Sequence, residues 1–474
     1  MTPPVDSKAP AMTPDGRLGL REKLGYASGD FASVLFFKTF SSFLMFFYTD
    51  IIGIEAAVIG TMLIVTRIFD AANDPLMGIL CDRTKSPHGK FRPWLRWMIL
   101  PYAISGILVF TVPDVAQAWQ IVYIYITYTL AMVFYTMINI PYGALMGVMT
   151  PNSAERTILS SFRFYGAYGA NFLVQGTILV LVVWLGGSAD GQTATQAGYV
   201  WTMVLYALMA GGMFLFTFAS TRERVQPPKE QKSDIGKDLA QLVRNKPWVA
   251  MIFIGVTTII WIALRDASIL YYFRYYVVGA VEETSEFVKL ATTFNLVGTL
   301  ATLAGVACTK LLTDVFGSKR SAYVWLTLLT AATACLYYFA GPGAVTYILV
   351  LQAITSFMMG PLMPLFWSMI ADTADYSEWK CGRRFTGLVF SAGTFSQKAG
   401  WAIGPGIAGW LLGYYGFKAN VAQSETTIEG LRLMMSFIPS AVAVVAAGLV
   451  FFYGITRKVE VEMEASLKAR ALES

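Results

Sequence analysis

The sequence predicts an all-α membrane protein with twelve transmembrane helices in two six-helix halves and both termini in the cytoplasm. Hydrophobic residues make up 55% of the 474 residues and charged residues only 14%. A soluble domain carries about 25% charged residues, so this composition indicates a polytopic membrane protein embedded in a lipid bilayer. The net charge of +6 follows the loops of one membrane face, and no nucleic-acid partner is expected from it.

Twelve apolar segments of spanning length account for the predicted helices. They cover residues 28–49, 57–81, 93–112, 118–146, 159–186, 197–219, 248–278, 287–311, 320–340, 344–371, 385–413 and 433–456. Lys and Arg are concentrated in the loops after the even-numbered segments, as in DRTKSPHGKFRP after the second. The positive-inside rule then places both termini and all even-numbered loops in the cytoplasm.

The predicted domain organisation follows from this pattern. An N-terminal half (1–219, with a polar tail over 1–24) precedes a charged cytoplasmic linker (220–247), a C-terminal half (248–456) and a cytoplasmic tail (457–474). The two halves resemble each other weakly at an offset of about 230 residues, which predicts a parallel structural repeat. Transporters built in this way bind their substrate near the middle of the membrane.

Two aspartates, Asp70 and Asp74, lie one helical turn apart within the second apolar segment, and Asn73 and Arg67 share their helical face. A charged side chain at bilayer depth costs about 2.5–3.5 kcal/mol, so such groups usually have a function. Carboxylates at this spacing repel each other unless a proton, an arginine or a metal cation compensates them. The alternative is a purely structural ion pair with Arg67, but one arginine neutralises only one carboxylate. The pattern therefore predicts a cation site.

Further polar side chains within the apolar segments predict a substrate cavity. Thr394, Lys398 and Trp401 share one face of the eleventh segment, where an aromatic ring beside a donor suits a saccharide, although Trp401 fits a role in helix packing equally well. Lys38 lies in the middle of the first segment, and two hypotheses compete for it. It either pairs with Asp70 or Asp74 and replaces a bound cation, or it faces the cavity and favours an acidic sugar.

Several long motifs occur in one order along the chain: RIFDAANDPLMG, DRTKSPHGKFRPW, NIPYGALMGVMTPNSAERT, ADTADYSEWKCGRR and SQKAGWAIG. From Gly25 to about Gly416 the chain resembles the glycoside–pentoside–hexuronide:cation symporters, a family with the major facilitator fold. The resemblance implies a cation-binding role for four residues, a sugar-binding role for four more, and a gating role for a cytoplasmic loop. These sets are Asp70, Asn73, Asp74 and Thr136; Asp30, Arg163, Thr394 and Lys398; and Asp82, Arg83, Lys90 and Arg92, with Arg67 in the charge network.

The chain departs from the family's melibiose-transporting member at two positions. Asn139, a candidate substrate-binding residue, replaces an aspartate, and Gly143 replaces a tryptophan that stacks on the sugar. The galactoside pocket is therefore not reproduced, and melibiose is not the expected substrate.

The expected function is secondary transport without a catalytic step or cofactor. The resemblance implies symport of a glycoside, pentoside or hexuronide with Na⁺ or H⁺ by a monomer in the bacterial inner membrane. If sodium drives it, Asp70 and Asp74 are the metal ligands. Two alternatives remain open, a cation-dependent lysolipid or amphiphile transporter and a sugar sensor that does not transport. An intramembrane aspartyl protease is disfavoured, because its two aspartates would lie on different helices.

Overall fold

A computed structural model describes residues 17–150, 153–186, 194–224, 242–279, 284–381 and 386–473. The chain forms two compact units, Met1–Ile54 with Ile64–Lys229 and Glu55–Leu63 with Glu230–Ser474. Throughout the described ranges the regular structure is helical, and no strand occurs there. Most of the predicted linker lies outside the described residues, since 225–241 belong to none of these ranges.

The first unit is a helical bundle in which α1 packs against α6 and α7, and α4 packs against α5 and α7. Its helices are α1 (Leu20–Phe46), α2 (Ala56–Arg83), α3 (Arg92–Trp97), α4 (Ile99–Phe110), α5 (Gln117–Met149), α6 (Ser153–Leu185) and α7 (Gln196–Ser220). A π-helical turn, Phe47–Ile51, continues α1. The first residues of α2 belong to the second unit.

The second unit is also a helical bundle, with α14 and α16 packed on α8 and α12 packed on α9. Its helices are α8 (Lys246–Tyr272), α9 (Thr284–Ala307), α10 (Thr309–Val315), α11 (Lys319–Cys335), α12 (Val345–Met359), α13 (Leu362–Cys381), α14 (Thr386–Tyr414), α15 (Glu425–Met435), α16 (Phe437–Leu449) and α17 (Arg457–Glu473).

Nine helical segments in the described part of the chain are long and apolar enough to cross a membrane. α2 (28 residues) and α14 (29 residues) have spanning length as well but are not among these nine. The predicted third span is interrupted at Met98, between α3 and α4, and the predicted tenth span at Gly360, between α12 and α13. The chain is therefore an integral membrane protein, while the count of twelve spans stays a prediction.

Close packing of α14 on α8 fixes the orientation of α14. A Cβ on Gly400 would lie 2.4 Å from Ile259 Cβ, and one on Gly404 would lie 2.7 Å from Ala263 Cβ. Two glycines four residues apart allow two helix backbones to approach closely. At about 100° per residue, Lys398 lies about 120–160° around the helix from these two glycines, Thr394 about 80–120° and Trp401 about 60–100°, so Lys398 is the residue of these three farthest from the contact.

Candidate functional site

The predicted cation-binding residues come together within the first unit. The Thr136 hydroxyl on α5 lies 2.7 Å from Asp70 Oδ1 and 3.2 Å from Asp74 Oδ1, both on α2. A hydroxyl has a single proton to donate, so it is shared between the two carboxylates. Asp70 and Thr136 are each 1% exposed, and Asp74 is half-buried. Three hard oxygen ligands on two helices form a cluster that suits a small cation.

Arg67 compensates this cluster only in part. Its guanidinium lies 3.9 Å from Asp70 Oδ2 and 5.6 Å from the centre of the Phe37 ring. A separation of 3.9 Å is longer than a charge-assisted hydrogen bond. An ion pair this long leaves room for a proton or an alkali cation to approach the carboxylate oxygens.

Two asparagines beside the cluster have spare hydrogen-bonding capacity. Within the described residues, the buried amide nitrogens of Asn73 and Asn139 have no hydrogen-bond partner. Asn73 precedes Asp74 on α2, and Asn139 lies one helical turn after Thr136 on α5. A buried donor without a partner is costly, so these amides suit a ligand that supplies an acceptor oxygen.

Asp30 and Arg163 form a second cluster in the same unit. Arg163 Nε lies 3.2 Å from Asp30 Oδ1, and the two side chains are 38% and 10% exposed. The Tyr142 ring lies 5.8 Å from the guanidinium and stacks on Tyr26 at 4.7 Å between ring centres. A carboxylate, a guanidinium and an aromatic face are the groups with which proteins bind sugar hydroxyls and C–H surfaces.

Small residues on the contacting helices permit this arrangement. A Cβ on Gly166 would lie 2.2 Å from the backbone oxygen of Ala27, so α6 can approach α1 only with glycine there. Gly29 leaves space for the Tyr142 ring in the same way. Asp30 follows Ala27 by one helical turn, and Arg163 precedes Gly166 by one turn. The sequence therefore brings the two charged side chains into contact through glycine-mediated helix packing.

Thr394, Lys398 and Trp401 lie on one face of α14 in the second unit, with Thr394 exposed and the other two half-buried. Next to Thr394, the rings of Trp367 on α13 and Phe390 on α14 are stacked 5.9 Å apart at an interplanar angle of 10°. Trp367 packs over Gly393, where a Cβ would lie 2.8 Å from the ring. Sequence reasoning missed Trp367, since a single tryptophan in an apolar segment resembles a lipid-facing residue.

Lys38 is half-buried on α1. It directly follows Phe37, whose ring faces Arg67. The same helix carries Asp30. Both hypotheses for Lys38 stay predictions.

The predicted gate loop is organised around Glu223, a residue that sequence reasoning also missed. The Glu223 carboxylate accepts hydrogen bonds from the backbone N–H groups of Lys90, Phe91 and Arg92 at 2.8–2.9 Å. The Arg92 guanidinium donates to the Phe218 carbonyl at 2.8 Å. Arg83 is exposed. The Asp82 side chain lies outside the described residues, so its gating role stays a prediction.

These features are typical of a class of protein, the helical membrane carriers, here with a carboxylate–hydroxyl cluster and a carboxylate–guanidinium–aromatic cluster in the first unit. A sequence profile described as MFS/sugar transport protein matches residues 25–457. The chain belongs to this family of major facilitator sugar transporters, which confirms the resemblance drawn from its motifs. It is a transporter and not an enzyme.

Curated relatives agree with this assignment. The chain is 32% identical to the putative glycoside/cation symporter YagG of Escherichia coli, over 95% of this chain and 94% of that protein. It is 33% identical to the isoprimeverose transporter of Lactiplantibacillus pentosus, over 95% and 91%. It is 32% identical to the glucuronide carrier protein homolog of Escherichia coli, over 93% and 94%.

Solved structures agree at the level of the fold. A D-xylose–proton symporter superposes with a TM-score of 0.60 at 12% identity, over 91% of this chain and 96% of that one. A bacterial homologue of the human lysosomal transporter Spinster gives a TM-score of 0.66 at 12% identity, over 94% and 97%.

Proposed function

We propose that this protein is a cation-coupled symporter that imports a glycoside, pentoside or hexuronide across the bacterial cytoplasmic membrane. It acts as a monomer with twelve spans and cytoplasmic termini, and Na⁺ or H⁺ is its coupling ion. The observation that carries this proposal is the Thr136 hydroxyl between the carboxylates of Asp70 and Asp74. The named relatives, a glycoside/cation symporter among them, support the class of substrate.

The coupling ion binds the cluster of Asp70, Asp74 and Thr136, with Asn73 beside it. Its positive charge adds to that of Arg67 beside the two carboxylates. Because α2 and α5 both contribute ligands, binding draws these two helices together and orders Asn139, one turn along α5. A substrate that contacts Asn139 then binds more tightly. The coupling is reciprocal, so the sugar tightens cation binding by the same factor.

The sugar binds Asp30 and Arg163, which accept from and donate to its hydroxyls. Thr394, Lys398 and Trp401 on α14 are further candidate substrate-binding residues. In this mechanism the empty and doubly loaded carriers exchange between conformations, whereas the carrier loaded with the cation alone does not. Transport then requires no cofactor and no covalent step.

Uptake of labelled sugars into proteoliposomes tests this proposal. The panel includes neutral glycosides and hexuronides, because relatives named for isoprimeverose and for glucuronide are similarly distant from this chain. A sodium gradient is compared with a proton gradient. Asp70→Asn and Asp74→Asn are expected to abolish gradient-driven accumulation and to retain sugar counterflow. If no sugar accumulates under either gradient, the symport proposal is wrong, and counterflow without accumulation would indicate a facilitator.

A further inference from the structure

A groove of about 320 Å³ opens on the surface of the second unit, away from the residues described above. It lies between the first two turns of α8 and the end of α16. The lining residues are Val243, Lys246, Val249, Ala250, Phe253, Leu449 and Phe452. None of the candidate sugar- or cation-binding residues takes part in it, so the groove needs a separate explanation.

The walls of the groove are apolar and exposed. Phe452 is 72% exposed, Val243 60% and Phe253 58%. Both flanking segments, Lys246–Val278 and Glu425–Tyr453, are long and apolar enough to cross a membrane. In a membrane protein such walls face hydrocarbon, and an acyl chain satisfies them better than water or a free anion does.

One end of the groove is positively charged. Lys246 is the one charged residue among the lining residues, and Arg244 is exposed two residues before it. Arg320 contacts Phe451, the residue before Phe452, with its guanidinium 3.4 Å from the Phe451 carbonyl and 5.8 Å from the Phe451 ring centre. The N-terminus of α8, a helix of 27 residues, adds its partial positive charge at the same end.

We propose that this groove binds an anionic phospholipid of the cytoplasmic leaflet, with one acyl chain against Phe253 and Phe452 and the phosphate at Lys246. A net negative headgroup such as phosphatidylglycerol matches the charge, because the groove offers no described acidic partner for the amine of a zwitterionic lipid. Basic pockets at the cytoplasmic ends of transmembrane helices recognise anionic headgroups in this way.

Native mass spectrometry of the full-length chain tests the site. The protein is titrated in detergent with phosphatidylglycerol or with phosphatidylcholine carrying the same acyl chains. The wild type is expected to retain one phosphatidylglycerol with about fivefold preference, since each Lys or Arg near a headgroup contributes about that factor. Lys246→Gln should remove the preference. Lys310→Gln is the charge-matched control, because the Lys310 side chain is 92% exposed in the same unit.

The Phe452→Ala variant distinguishes lipid binding in the groove from general electrostatic attraction of lipid to the protein surface. Its side chain is largely exposed, so truncation leaves the packed core intact, but it removes one wall of the groove. Retention of both lipids is expected to fall about threefold while the charge is unchanged. Equal retention by the wild type and Lys246→Gln, or an effect of Lys310→Gln as large as that of Lys246→Gln, would overturn the proposal. So would full retention by Phe452→Ala.

Discussion

Thr136 connects the two carboxylates of the cation cluster, and its hydroxyl can be removed almost without a change in shape. We expect Thr136→Val to weaken cation binding about tenfold or more, because a hydrogen bond to a charged group contributes about 1.5–3 kcal/mol. Thr136→Ser keeps the hydroxyl and should stay within about threefold of the wild type. Titration calorimetry measures the change in Na⁺ affinity, and pH jumps measure the change in proton affinity. Equal affinities for the valine and serine variants would exclude Thr136 as a ligand.

Asp30 forms an ion pair with Arg163 in the second cluster of the first unit. Asp30→Asn keeps the size of the side chain and removes the charged acceptor, so sugar affinity should fall about tenfold or more. Cation affinity should change by less than about twofold, because the ligands at Asp70 and Asp74 are untouched.

Asp114→Asn is the matched control for this substitution, since Asp114 is exposed in a loop of the same unit. Sugar binding is measured by counterflow with the substrate that the uptake panel identifies. A variant that lost sugar and cation binding together would indicate a structural role for the pair of Asp30 and Arg163.

At the scale of elements, α17 is anchored by one ionic network at the end of the second unit. Lys319 Nζ lies 2.7 Å from Asp372 Oδ2 and 3.0 Å from Glu460 Oε1, and Arg457 lies 3.1 Å from Glu460 Oε2. Glu460→Gln should loosen α17 and increase amide hydrogen exchange across residues 457–466. Glu462→Gln, an exposed position on the same helix, should not. Unchanged exchange in Glu460→Gln would show that apolar packing alone holds α17.

The same network predicts that the stability of the folded protein depends on pH. Burial alone would raise the pKa of the Glu460 carboxyl, but hydrogen bonds and charge from Lys319 and Arg457 hold it below its ordinary value of 4.5. A carboxyl whose pKa is lowered by folding stabilises the folded state above its ordinary pKa and loses this contribution as pH falls through the lowered value. Thermal melts of the wild type and Glu460→Gln should therefore differ at pH 7, and the difference should shrink as the pH falls below the ordinary pKa of 4.5 and through the lowered value.

The helices and the pair of carboxylates could be predicted because their signals are local, whereas Thr136 was selected through the family resemblance. Apolar length predicts spans, and Asp70 and Asp74 are four residues apart in one segment. The breaks at Met98 and Gly360 were not predicted, since neither interrupts the apolar composition. Glu223 and Glu460 were missed because they act through partners more than a hundred residues away, Lys90 and Lys319. Short sequence windows contain no signal for such contacts.

For the whole molecule, orientation in the membrane is the first prediction. Lys418 lies between α14 and α15, in a loop that the charge pattern places outside the cell, and Lys458 lies on α17, in the predicted cytoplasmic tail; both are exposed. In a variant lacking the four native cysteines, a membrane-impermeant maleimide should label Lys418→Cys in intact cells. It should label Lys458→Cys only after lysis. The reverse pattern would contradict the positive-inside assignment.

The net charge moved in each transport cycle depends on both the coupling ion and the substrate. One cation with a neutral glycoside carries one positive charge inward, and 100 mV then supplies about 2.3 kcal/mol, or about fiftyfold accumulation. A tenfold cation gradient adds about 1.4 kcal/mol. One cation with a hexuronide carries no net charge, so the membrane potential should leave its accumulation unchanged.

Valinomycin with a potassium gradient imposes the potential on proteoliposomes, and labelled sugar reports accumulation. Equal accumulation of a neutral glycoside with and without the potential would show that no net charge moves with it.

The same measurement distinguishes the two hypotheses for Lys38. If Lys38 replaces the coupling ion, neutral-sugar accumulation is insensitive to potential and to the cation gradient, and Lys38→Gln restores both dependences. If Lys38 instead binds the acid group of the substrate, Lys38→Gln weakens hexuronide uptake and leaves the potential dependence of neutral sugars intact.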